Sequence, residues 1–101
     1  MKKFLKYRGY YGEICYSDED ECFVGHVVGI LSMIAVHEDT LLATAKELID
    51  SIDEYLESCE EDGTKPNETN LSVAREIEVY FNNEDEGSIR GFRFENLAHA
   101  T

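Results

Sequence analysis

The chain is short of positive charge: 9 basic residues stand against 22 acidic ones, for a net charge of −13. A nucleic-acid surface needs clustered Lys and Arg facing phosphates, so direct DNA or RNA binding is not expected. Tryptophan is absent, and one proline with 7 glycines excludes collagen-like and Pro-rich linker classes. Long apolar runs are missing too. The longest uncharged stretch, Cys22 to Val36, has 15 residues and holds His26 and two glycines, which is too short to span a bilayer. Lys6, Arg8 and Glu13 interrupt any apolar segment behind the basic start, so no signal peptide is expected and the protein is read as soluble, unprocessed and cytoplasmic. Cysteine is scarce and odd in number. Cys15, Cys22 and Cys59 form neither the even set of a secreted disulfide framework nor a zinc-site spacing, so no metal is expected. They are read as free thiols acting as small buried hydrophobes.

What is present points to one folded domain. A length of 101 residues leaves no room for a second, and a hydrophobic fraction of 43% opposes wholesale disorder despite the charge. The charge is uneven. The first eight residues carry +4, residues 13–62 carry −14 with Lys46 their one base, and residues 63–101 carry −3. Such an acidic block suits a basic partner.

The hydrophobic pattern gives an α+β reading: an antiparallel three-stranded sheet, one amphipathic helix, and a C-terminal hairpin or strand. Residues 6–16, rich in Tyr with Ile14, read as a strand in which Gly9 and Gly12 mark a bulge or a close-packed neighbour. Ser17 to Glu21 is a polar turn, residues 22–30 a covered central strand, and a third strand fits within 31–37. The period then changes. Leu41, Ala45, Leu48, Ile52, Tyr55 and Cys59 recur at intervals of four and three, flanked by Leu42, Ile49 and Leu56, which predicts a helix with one apolar face. Thr40 is its N-cap, Gly63 its C′ residue, and Pro66 prevents it from resuming. The outer face carries Glu47, Asp50, Asp53, Glu54, Glu57 and Glu61. Glu60, Glu61 and Asp62 crowd the helix C-terminus, where the macrodipole disfavours acids by about 0.3–1 kcal/mol each at low salt. Beyond Pro66, alternation over 76–81 and 89–94 suggests a hairpin, with a helix over 71–81 as the rival.

No catalytic set stands out. His26 sits in the central strand and reads as a hydrogen-bonded core residue, His37 as a strand end, and His99 as part of the tail. Gly25 and Gly29 lack the partners of a phosphate loop and read as close strand packing. The 18–21 acids lack EF-hand spacing.

Three segments resemble the HicB antitoxin family. Tyr7-Arg8-Gly9-Tyr10-Tyr11-Gly12-Glu13-Ile14-Cys15-Tyr16-Ser17-Asp18-Glu19-Asp20 is similar to that family's Y-x-G-Y-x-G-x-I-x-Y-S-x-E-D opening. Phe23-Val24-Gly25-His26-Val27-Val28-Gly29-Ile30 is similar to its F-x-G-x-V-x-G-I strand. Residues 53–66, from Asp53-Glu54-Tyr55-Leu56 through Cys59 and Gly63 to Pro66, are similar to its D-x-Y-L-x-x-C-x-x-x-G-x-x-P segment. The resemblance covers about residues 7–66. It implies a HicB-like antitoxin domain over 1–66, with a truncated ribonuclease-H-like fold that is not an enzyme and needs no cofactor; residues 67–101, outside the resemblance, read from their own pattern as an extension, a β-hairpin completing the same domain. It also implies a partner, a small basic mRNA-cutting toxin of the HicA type. The charge pattern suggests that Asp18, Glu19, Asp20, Glu47, Glu54, Glu57 and Glu61 would face that partner. Residues 67–101 lack the ribbon-helix-helix or helix-turn-helix with which many members continue, so no DNA-binding role is carried over. Alternatives are an orphan oligomerising or binding domain with another basic partner, self-association as a dimer or higher oligomer, and a metal-dependent ribonuclease-H-like nuclease.

Overall fold

The structure, a computed structural model, describes residues 2–83. Four strands form one antiparallel sheet in the order β1 (Lys2–Tyr7), β2 (Tyr10–Ser17), β3 (Cys22–Val28), β4 (Ala35–Glu38). Helix α1 (Leu41–Asp62) follows, then α2 (Leu71–Asn83).

The sheet has four strands rather than the three expected, because the expected first strand is two. Arg8 and Gly9 both take positive φ, 50° and 83°, between the paired Tyr7 and Tyr10. Two central residues with φ > 0 make the tight hairpin whose twist matches antiparallel strands. Arg8 replaces the usual Asn or Asp, so the turn escapes a search for turn residues. Gly9 is therefore a turn glycine rather than a bulge.

Strand register sorts the side chains. Leu5, Gly12 and Val27 lie in one row, and Ile14, Gly25 and Val36 in the next, on the same face. α1 covers that face with Ala45, Leu48 and Ile52, all fully buried alongside Leu5 and Ile14. The predicted apolar stripe of α1 is thus the face that packs. Thr40 Oγ1 accepts from the Ala43 amide at 3.0 Å, and Gly63, left-handed at φ 70°, closes the helix while the Thr64 amide donates to the Cys59 carbonyl at 2.9 Å.

The other face is covered in part by a helix where a hairpin was expected. Residues 76–81 lie within α2, so the rival reading holds there; residues 89–94 lie outside the described residues. Their alternation misleads because Ile77 is buried, against Phe4 and Tyr11, while Val79, two residues on, is exposed. Asn70 caps α2, its Oδ1 accepting from the Ser72 amide at 2.9 Å. Lys6 Nζ donates to Glu78 Oε1 at 2.9 Å, and the Tyr11 hydroxyl donates to the same oxygen at 2.8 Å. Lys6 also lies 5.6 Å from the Tyr11 ring centroid.

β3 is central, but His26 is not a core residue. It is half-buried, opposite Glu13, on the face away from α1. Of the cysteines, Cys59 is buried and Cys15 and Cys22 are half-buried; all three are free.

Candidate partner interface

The acids of α1 are placed by the same geometry that buries Leu48. At ~100° per residue, Glu47, Asp50, Glu54, Glu57 and Glu61 fall on the side opposite Ala45, Leu48 and Ile52. All five are exposed. Ion pairs among the described residues are Lys2–Glu13, Lys6–Glu78 and Arg8–Asp53, at 3.5, 2.9 and 2.9 Å, and none reaches this stripe. Lys46, the one base of the acidic block, makes no ion pair among the described residues.

Asp53 is set apart from its neighbours. Its carboxylate accepts from the Tyr7 hydroxyl at 3.0 and 3.1 Å and from Arg8 Nη1 at 2.9 Å. It ties α1 to the β1–β2 turn. The basic N-terminal segment is spent in the same way: three of its four cations are engaged with Glu13, Glu78 and Asp53.

The loop acids are exposed but lie at one end of the molecule. Phe23 pairs with Glu38, so the 18–21 turn flanks the strand end that leads through Asp39 into α1. Glu61 lies in the last turn of α1, about 30 Å along the axis from Leu41 at 1.5 Å per residue. Asp18, Glu19 and Asp20 therefore do not join Glu54, Glu57 and Glu61 in one patch. The acids form a band along α1, with the loop at its N-terminal end and Glu47 between.

The opposite end of the molecule is organised by Asn67, a residue with no motif around it to single it out. Its amide donates to the Tyr55 hydroxyl at 2.8 Å, and its carbonyl accepts from the Tyr10 hydroxyl at 2.6 Å. Its Oδ1 accepts from the Ser32 amide at 2.9 Å and the Ser32 hydroxyl at 2.7 Å. Strand β2, helix α1 and the 29–34 loop thus meet at one residue. Ser32 is drawn inward, while Leu31 and Met33 on either side point out, 95% and 89% exposed.

Two shallow concavities flank these features. One, of about 420 Å³, is lined by Arg8, Asp53, Leu56, Glu57, Glu60, Thr64 and Pro66. The other, of about 560 Å³, is lined by Asp20, Cys22, Val24, Ala35, Val36 and His37. The second brings the Cys22 thiol together with His37 and Asp20, but among the described residues no hydrogen bond joins Cys22 to His37, so the base does not engage the thiol. Burial pushes the Cys15 thiol above its ordinary pKa, and the Glu13 carboxylate, which accepts from it at 3.6 Å, adds to the shift. A thiol held protonated is a poor nucleophile. Among the described residues, no group of three His, Cys, Asp or Glu side chains could hold a metal ion, and no helix is long and apolar enough to cross a membrane.

No protein-family model, curated protein or solved structure matches the chain, so its functional reading rests on its own residues and their placement.

Proposed function

We propose that the chain is an antitoxin of the HicB type: a non-enzymatic acidic protein that binds and covers a small basic RNA-cutting toxin of the HicA type. The observation that carries this reading is the band of exposed acids on α1, unpaired with any described base. Local electrostatics opposes acids near a helix C-terminus. A protein surface built to hold RNA phosphates is the kind of partner that would reward them. The three HicB-like segments support the same reading. With them comes the finer expectation of a truncated ribonuclease-H-like fold, with which the four-stranded sheet and α1 are compatible.

Its test is the charge-reversed pair Glu54→Lys with Glu57→Lys. Lys is as good a helix former as Glu, and it suits the last turns of a helix better, so α1 should keep its helicity. Rescue of cells expressing a HicA-type toxin should fall sharply. Undiminished rescue by the reversed protein would remove the α1 band from the interface.

A further inference from the structure

The acidic band explains attraction but not grip. Charges at an interface rim set encounter rates and register, whereas slow dissociation comes from a few desolvated anchors. Exposed acids bury little apolar surface. If the band meets a partner, an apolar anchor must lie within reach of it.

Among the described residues, the two most exposed large hydrophobic side chains are Leu31 and Met33. Both stand on the loop that Ser32 pins to Asn67, and Ser32 Oγ lies 3.4 Å from the Tyr55 hydroxyl, on the residue next to Glu54. The pinning has a physical consequence. A loop held by two hydrogen bonds at its middle loses less freedom on binding than a loose one, so its flanking side chains are displayed at reduced entropic cost. The Asn70 amide, 2.7 Å from the Gly29 carbonyl, brings exposed Leu71 to the same end of the molecule. Isolated exposed hydrophobes need no explanation, but two held outward around an inward-fixed serine make a protrusion suited to an apolar pocket.

We propose that Leu31 and Met33 are the apolar anchor of an interface with a basic protein, a role that rests on the antitoxin reading above. Charge decides between occupants. A second copy would bring another −13 chain against the same acidic helix, whereas a basic protein with an apolar pocket is drawn in by the band and then held by the loop. The two surfaces have separable tasks: α1 acids govern association, and the loop governs dissociation.

The experiment measures the kinetics of full-length chain binding to a purified, inactive HicA-type ribonuclease. Parent, Leu31→Ser with Met33→Ser, and Glu54→Lys with Glu57→Lys are compared. The loop variant is expected to dissociate roughly 30-fold faster or more, the effect of losing a hot spot, with its association rate and salt dependence unchanged. The charge variant is expected to associate more slowly. Dissociation of the loop variant within about threefold of the parent's would overturn the anchor and leave the antitoxin reading standing. Failure of the parent to bind would overturn the reading and the anchor together. The free loop variant should melt with the parent. A drop of several degrees would mean that the chain itself covers the loop, and a parent dimer made monomeric by the loop variant would give the loop to a second copy; either result overturns the proposal.

Discussion

Leu48 stands so close over Gly25 that a Cβ at that glycine would lie 2.9 Å from Leu48 Cδ1, with Thr44 Cγ2 at 3.0 Å. The same Leu48 atom would meet a Cβ on Gly12 at 2.9 Å, so the leucine is held between two bare backbone positions on neighbouring strands. Leu48 and Thr44 are fully buried and have no room to retreat. Gly25→Ala should therefore destabilise the protein by about 1–3 kcal/mol, as overpacking does. Leu48→Ala should cost about 2–5 kcal/mol by leaving a cavity. The double variant should cost less than the sum, because the new methyl enters the vacated space. Denaturant titration checks all three; strict additivity would mean that the two residues do not share that space.

Asn67→Ala should loosen the end of the molecule that carries Leu31 and Met33. The Ser32 amide and hydroxyl lose their acceptor, at about 1–3 kcal/mol for a half-buried donor left unmet. Amide hydrogen exchange at Ser32 should speed up markedly while exchange in β2 stays slow. Unchanged exchange at Ser32 would show that the loop holds its shape without Asn67.

Acid and alkali should each loosen the attachment of α2. Hydrogen bonds from Lys6 and then Tyr11 hold the Glu78 carboxyl below the usual range. The folded state thus binds that proton more weakly than the unfolded chain does. Its stabilisation is complete above the unfolded carboxylate pKa and is lost as pH falls through the lower folded value. Lys6 is raised, first by its hydrogen bond to Glu78, and Tyr11 is raised, first by burial. Their contributions are complete below the unfolded pKa values and are lost as pH rises through the folded ones. The Lys6–Glu78 pair is partly solvated, so its effect should be modest, about 0.2–1 kcal/mol. Glu78→Gln should flatten the acid limb of a stability–pH profile, and an unaltered limb would place the acid sensitivity elsewhere.

The α1 stripe was legible because a long repeat of apolar residues at helical spacing has one physical solution, and Leu48 and Ile52 occupy it. The close-packing reading of Gly12 was sound, and Gly25 is close-packed as well, though against a helix side chain rather than another strand. The strand expected over 6–16 is broken at Arg8 and Gly9, because Arg8 takes a conformation for which Asn or Gly is the usual signal. Residues 76–81 read as a strand because a six-residue alternation fits a strand as well as a helix, and the packing of Ile77 against Phe4 and Tyr11 decides between them. The exposure of Leu31 and Met33 was invisible, since Ile30 to Ile34 is uniformly apolar apart from the serine that turns the loop outward. The acids of α1 could be placed on one face from spacing alone. The separation of the 18–21 turn from Glu57 and Glu61 needed the register of β3 with β4.

Glu21 holds φ 53° just before β3, a conformation that costs a residue with a Cβ about 1–2 kcal/mol and suits Asn far better. Glu21→Asn should stabilise the protein by about 0.5–1 kcal/mol in a thermal or chemical melt. A neutral or negative result would mean that Glu21 makes compensating interactions in the turn.

The central claim is that the exposed acids of α1 steer a basic partner onto the chain. Its most direct test is the association rate with an inactive HicA-type ribonuclease, measured from low to high salt for the parent and for Glu54→Lys with Glu57→Lys. The parent rate should fall at least tenfold between about 20 mM and 500 mM salt, as screening removes the attraction. The reversed protein should start slower and show a much flatter dependence. Equal rates with equal salt dependence in the two proteins would contradict the account.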